Sequence, residues 1–237
     1  MVSVTSVAVR ATIDALQASM READFGRVLL LSDRRPAEPH PAIEWRAIER
    51  LDSRSDYSRF MLRDLADHIT TSHALCIQWD GFVVNGAAWQ DRFLDYDYIG
   101  AVWPHFGDTR RVGNGGFSLR SRRLLEACKD LPFDGTEAED IVIARTYRGP
   151  LEDLGMRFAP ESIAQLFAYE RSPPSGHEFG FHGAFNLVRY LSPDQAVDLF
   201  SSLDKRILTT NERMELLRWA LKQGRWKLAL TMLARLM

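Results

Sequence analysis

The chain has 237 residues, 46% of them hydrophobic and 26% charged, with 30 basic and 32 acidic side chains and a net charge of -2. That composition excludes a disordered, collagen-like or disulfide-stapled chain. The near-neutral balance speaks against a general nucleic-acid binder.

Val2 to Val9 alternates β-branched and small residues and is expected as a strand, followed by a helix over Thr12 to Ala23. Arg27 to Leu31 is a short continuous apolar run, the pattern of a strand buried on both faces. A proline-rich loop over Arg34 to Pro41 leads to an expected strand over Ile43 to Leu51, a helix over Asp56 to Ile69 and a strand over Ala74 to Val84. This alternation predicts an α/β fold, a mainly parallel sheet with helices on both faces. Ligands of such sheets bind at the carboxyl ends of strands, where Asp33 and Asp80 fall. Capping of turns is the competing use of both.

The two cysteines lack metal or redox spacing: Cys76 lies in an apolar run and Cys128 on an expected helix. Both fit a reducing, cytoplasmic compartment. The first residues have no basic stretch leading into a long apolar one, and no run reaches about 18 apolar residues, so neither a signal peptide nor a transmembrane helix is expected.

Four groups carry candidate chemistry. Gln78-Trp79-Asp80 puts one carboxylate after an apolar strand and before Gly81, a place from which it can hold a divalent cation shared with phosphate oxygens. Gly113, Gly115 and Gly116 flank Asn114 ahead of Phe117; glycines let backbone approach a ligand closely. The spacing is neither GxGxxG nor a P-loop, and a helix near Ser121 should follow it. Glu139-Asp140 opens the helix-compatible run IVIAR. Adjacent carboxylates can divide the roles of base and orienting group, or simply favour a helix's first turn. His182 lies between aromatics and glycines, suited to metal ligation or to a structural hydrogen bond.

The strings IQWDGFVVN, FLDYDYIGAVWP, VGNGGFSLRSRRLLEAC, EDIVIAR and FGFHGAFN resemble a bacterial and fungal family long labelled as of unknown function and grouped with glycosyltransferases, over about Val2 to Leu191. A strand-end Asp, a glycine loop, a Glu-Asp pair and a late His come in the order seen in GT-A-fold glycosyltransferases. The resemblance implies a GT-A-like domain over residues 1–191 and a C-terminal helical appendage over 192–237. It implies transfer of a sugar from a nucleotide-sugar donor to a glycan, lipid-linked or protein hydroxyl, as in cell-surface polysaccharide biosynthesis. Asp140 would be the base of an inverting reaction and Glu139 would hold the acceptor hydroxyl. Asp33, Gln78, Asp80, Gly115 and Gly116 would contact the donor, and Trp103, Asn114 and Phe117 the substrate. Asp80 and His182 would hold Mn²⁺ or Mg²⁺. Gln78 stands where the usual DxD motif has Asp, which leaves open a metal-independent route with Arg120 or Arg122 neutralising the diphosphate. The rival readings are a non-catalytic nucleotide-sugar or glycan-binding module and a sugar nucleotidyltransferase. The latter lacks its glycine-rich loop in VAVRATIDAL.

The tail from Asn211 to Met237 has a strong apolar face divided at Gly224, with 6 basic and 2 acidic residues between Glu212 and Arg235. It reads as a helical pair packed on the domain, as a homodimer contact, or as a peripheral membrane contact.

Overall fold

In the computed structural model, residues 1–204 and 207–236 are described. Val2–Val4 form strand β1, and the chain turns at once into helix α1, Val9–Glu22. The strand is shorter than the alternation predicts because Thr5 Oγ1 accepts the N–H groups of Val7 and Ala8 and turns the backbone into the helix. Leu29–Ser32 form β2 and Glu44–Ala47 form β3. Ser53 caps helix α2, Arg54–Arg63, by accepting the Asp56 N–H at 3.0 Å. A single-turn helix α3, Leu65–His68, leads into β4, His73–Ile77. The expected continuation of β4 to Val84 is instead a tight turn, Gly81 N–H to Gln78 carbonyl at 3.2 Å.

Tyr98–Ile99 form β5 and Phe117–Ser121 form β6, which runs into α4, Arg122–Cys128. The order across the sheet is β3-β2-β1-β4-β6-β5. The first four strands in that order are parallel, and β6 is antiparallel to both β4 and β5. One face of the sheet packs on α1 around Leu16, Leu30 and Phe117. The other packs on α2 and α3 around Leu31, Met61 and Leu65. Glu139–Ile141 begin a short helix, α5, that widens into a π turn in which the Tyr147 N–H reaches the Val142 carbonyl at 2.8 Å. Helices α6, Arg148–Asp153, and α7, Glu161–Phe167, precede a two-stranded parallel ribbon of β7, Ala168–Tyr169, and β8, Gly180–Phe181.

The remaining chain is helical: α8, Ala184–Leu187; α9, Pro193–Ser202; α10, Thr210–Lys222; and α11, Trp226–Leu236. Capping boxes at Ser192 and Thr209 start α9 and α10, and Gly224, at φ 67°, reverses the chain between α10 and α11. The tail shares one apolar cluster with Ala8 and Ala11 of the α1 region and with Ala184 and Val188. No helix among the described residues is long and apolar enough to cross a membrane.

Candidate functional site

A cavity of about 450 Å³ opens where β1 and β4 end, with Gln78, Asp80, Gly115, Gly116, Glu139, Asp140 and His182 in its wall. It lies at the carboxyl ends of neighbouring parallel strands, as an α/β sheet dictates. The turn after β4 is locked from two sides: the Gln78 N–H donates to the Gly116 carbonyl at 2.8 Å, and the Gly183 N–H to the Asp80 carbonyl at 3.0 Å. At Gly81 a Cβ would lie 2.6 Å from the Phe181 carbonyl oxygen, so no larger residue fits between the turn and β8.

His182 follows β8, and its ring sits among four polar side chains. Nε2 lies 3.3 Å from Asp80 Oδ1 and 3.3 Å from Gln78 Oε1. Nδ1 lies 3.1 Å from Asn114 Nδ2 and 3.5 Å from Glu170 Oε1. Burial pulls the His182 pKa down, but Asp80 and Glu170 outweigh it and hold the ring well above its ordinary value. Glu170 is held low in turn: burial pushes its pKa up, and the hydrogen bond and charge of His182, with the Arg171 charge and an Asn114 hydrogen bond, together more than offset this.

The glycine loop is shaped by close approach. Asn114 is left-handed at φ 71°, and its Oδ1 accepts the N–H groups of Gly116 at 2.9 Å and Phe117 at 3.2 Å. This local hydrogen bonding is what makes Asn tolerable at such a φ. A Cβ at Gly116 would lie 2.0 Å from His182 Nε2, and one at Gly115 would lie 2.1 Å from Glu139 Oε1.

Glu139 and Asp140 start α5 and play different parts. Glu139 is buried and accepts from Arg120 Nη2 at 2.8 Å. Arg120 is itself fully buried, with its guanidinium also bonded to Ser118 Oγ and lying over the Tyr98 ring at 5.5 Å. Asp140 accepts the Gly115 N–H at 2.8 Å and the Ile141 N–H at 2.9 Å. Burial, reinforced by the Glu139 charge, raises the Asp140 pKa to about 6.

Several sequence-selected residues lie elsewhere. Asp33 sits at the end of β2 outside the cavity wall, paired with Arg34 at 3.4 Å. Trp103 and Phe117 are buried in the core rather than turned to the cavity. The glycines beside such aromatics make room for rings: a Cβ at Gly113 would lie 2.1 Å from Trp103 Cη2, and one at Gly180 2.1 Å from Phe117 Cζ. Asn114 supports the loop and the imidazole from behind. Arg120 is committed to Glu139, and the exposed Arg122 lies 3.7 Å from Glu126, away from the cavity. Sequence reasoning missed Glu170, Tyr57 and the tail. Glu170 directly follows the short strand β7, the strand-end position that singled out Asp80. Tyr57 accepts from Gln78 Nε2 at 2.9 Å, and Ile207 and Glu212 of the tail complete the wall.

The donor atoms suit a divalent cation. Asp80 Oδ1 is buried with no well-formed hydrogen bond, its ion-pair contact being His182 Nε2 at 3.3 Å, and Gln78 Oε1 reaches the same nitrogen. Among the described residues no group of three or more His, Cys, Asp or Glu side chains forms a metal cluster. A divalent cation held here would take only part of its ligands from the protein, with phosphate and water oxygens supplying the rest.

This architecture, a mostly parallel sheet flanked by helices, is similar to that of solved proteins: 62 chains match it, among them the mannosyltransferase PcManGT from Pyrobaculum calidifontis in complex with GDP-Man and Mn2+. That likeness has a TM-score of 0.50 at 12% sequence identity, over 99% of this chain and 72% of that one. Residues 43–182 match the family described as Protein of unknown function (DUF5672), and the chain belongs to that family. No curated protein matches it in sequence.

Proposed function

We propose that the protein is a glycosyltransferase that moves a sugar from a nucleotide-sugar donor to a hydroxyl acceptor. The observation that carries this reading is the convergence, on one cavity, of Gln78, Asp80 and His182 with an Asp140 whose pKa is raised to about 6. The first set suits the donor's diphosphate end and the second suits a base near its working range.

Asp80, Gln78 and the His182 imidazole, once it has released the proton that Asp80 and Glu170 favour, would hold Mn²⁺ or Mg²⁺. When bound, such a cation offsets the negative charge that builds on the leaving diphosphate. The Gly115 and Ile141 N–H groups fix the Asp140 carboxylate, which takes the acceptor's hydroxyl proton as the new C–O bond forms at the anomeric carbon and the bond to the diphosphate breaks. The transition state is oxocarbenium-like, as in glycoside hydrolysis. A single base acting on the acceptor supports one displacement, with inversion. Glu139, engaged by Arg120, acts behind Asp140 by keeping its pKa up, rather than by gripping the acceptor.

The test is a thermal-shift panel of UDP-, GDP-, CMP- and dTDP-sugars with and without Mn²⁺ or Mg²⁺. A donor at about 100 times its Kd adds about 2.7 kcal/mol, a shift of several degrees. The expected result is a shift with one nucleotide, lost in Asp80→Ala and kept in Asp140→Asn, which no longer releases nucleoside diphosphate in the presence of acceptor. No shift with any donor on folded protein would overturn the donor site. A shift with an Asp140→Asn variant as active as the parent would return the site to a binding module or a different base.

A further inference from the structure

Helix α11 is apolar on two sides. Leu228, Ala229 and Met232 are buried against the rest of the tail, as an amphipathic helix requires. The outer side carries Trp226, 66% exposed, and Leu230, 67% exposed, with Leu233 and the neighbouring Leu221 also open. Trp226, Leu230 and Leu233 are spaced i, i+4, i+7 and so form one stripe along the helix. A hairpin folded only for its own stability has no use for them there.

The charge carried by the segment itself is of one sign. From Leu216 to Leu236 there are five basic residues, Arg218, Lys222, Arg225, Lys227 and Arg235, and no acidic one. Arg225 and Arg235 are spent inward on carbonyl oxygens, of Val188 and Leu191 and of Leu203 respectively. Arg218 and Lys222 have no ion-pair partner among the described residues. Lys227 meets only Asp194, at 3.3 Å, in a pair whose side chains are 78% and 80% exposed; so open a pair holds little. The turn between α10 and α11 thus brings Leu221, Lys222, Trp226 and Lys227 together at the tip of the hairpin.

We infer that this face docks on an anionic lipid surface. Trp226 and the leucines enter the headgroup boundary, and Lys222, Lys227 and Arg218 meet the acidic headgroups. Trp is suited to that boundary because its ring is apolar and its N–H polar. The attachment is peripheral, since an 11-residue helix is too short to span a bilayer. Apolar stripe and cations that are unpaired or only loosely paired on one short segment separate this surface from a self-association face, where like charges would oppose each other. The inference stands apart from the donor chemistry and survives or fails without it.

The experiment is sedimentation of the full chain with sucrose-loaded vesicles of phosphatidylcholine, with and without phosphatidylglycerol, at low and physiological salt. The expected result is binding only to the anionic vesicles, weakened by salt. W226S with L230S should abolish it. K222E with K227E should weaken it by about tenfold or more, at about 1 kcal/mol per basic residue near the surface. All four positions are exposed, so melting temperatures should match the parent, and that match is part of the readout. Absence of binding to either vesicle would overturn the inference, as would binding that survives W226S with L230S. Concentration-dependent dimerisation removed by the same pair, without vesicle binding, would give the face to a second copy instead.

Discussion

Asp140 is held by two backbone N–H groups and lifted by burial and by the Glu139 charge. In the proposed mechanism Asp140 acts as base only when ionised, so a pKa of about 6 places the loss of activity on the acid side. The rate should plateau above about pH 7 and fall roughly tenfold per pH unit below about 6. Asp140→Asn should lower turnover by about 10²–10⁴-fold and remove that limb. A rate that stays flat across the acid range in the parent protein would exclude Asp140 as the base. That Asp80, Glu139 and His182 belong together was legible because each is a reactive type beside a strand end or a glycine, and the fold brings all three to one cavity wall. Glu170 was not, because it opens a long polar loop and gains its meaning only where the chain returns at His182. Trp103 and Phe117 misled for a physical reason: a glycine beside an aromatic ring signals close approach, and core packing needs close approach as much as a ligand does.

At the scale of elements, Asp97 ties the antiparallel half of the sheet together. It accepts from Ser121 at the end of β6, from Arg123 of α4 and from the Arg157 N–H at 2.8 Å. Burial would raise its pKa, but these donors bring it below the ordinary value. Its stabilisation is therefore present above the unfolded carboxylate pKa and is lost as pH falls through the folded one. Asp97→Asn should cost about 1–3 kcal/mol at neutral pH, most of it from the buried donors rather than the half-exposed Arg123. In urea unfolding, the gap between parent and variant should close as pH drops below about 4; a gap of constant size would locate the cost elsewhere. Strands β1 and β2 and helix α1 were readable because their apolar spacing is strong and local. The antiparallel β6 was not, since its partners β4 and β5 come from distant parts of the chain and β5 has only two residues.

Across the whole molecule the tail reaches the site. Phe200 of α9 is fully buried and meets the Trp79 ring edge-on at 6.4 Å, between Gln78 and Asp80 in sequence. Phe200→Ala should cost about 3–5 kcal/mol and also weaken donor binding, read as a smaller thermal shift at fixed donor concentration. Full donor affinity in a destabilised variant would make the tail a brace without a part in the site. The helices of the tail were readable from periodicity. That they share a core with α1 and close the cavity through Ile207 was not, because nothing local in an amphipathic helix says which surface it covers.

The strand made first is also third in a six-stranded sheet, with Val2 paired to Leu29 on one side and Cys76 on the other. A ribosome adds about 5–20 residues per second, so β1 waits on the order of seconds after its own synthesis before its second neighbour exists. Through that interval Val2–Val4 is an open edge, able to pair with any extended segment nearby. Such non-local closure also makes refolding slow compared with a helical bundle. A chain stalled before His73 would carry one of its two central strands as an open edge.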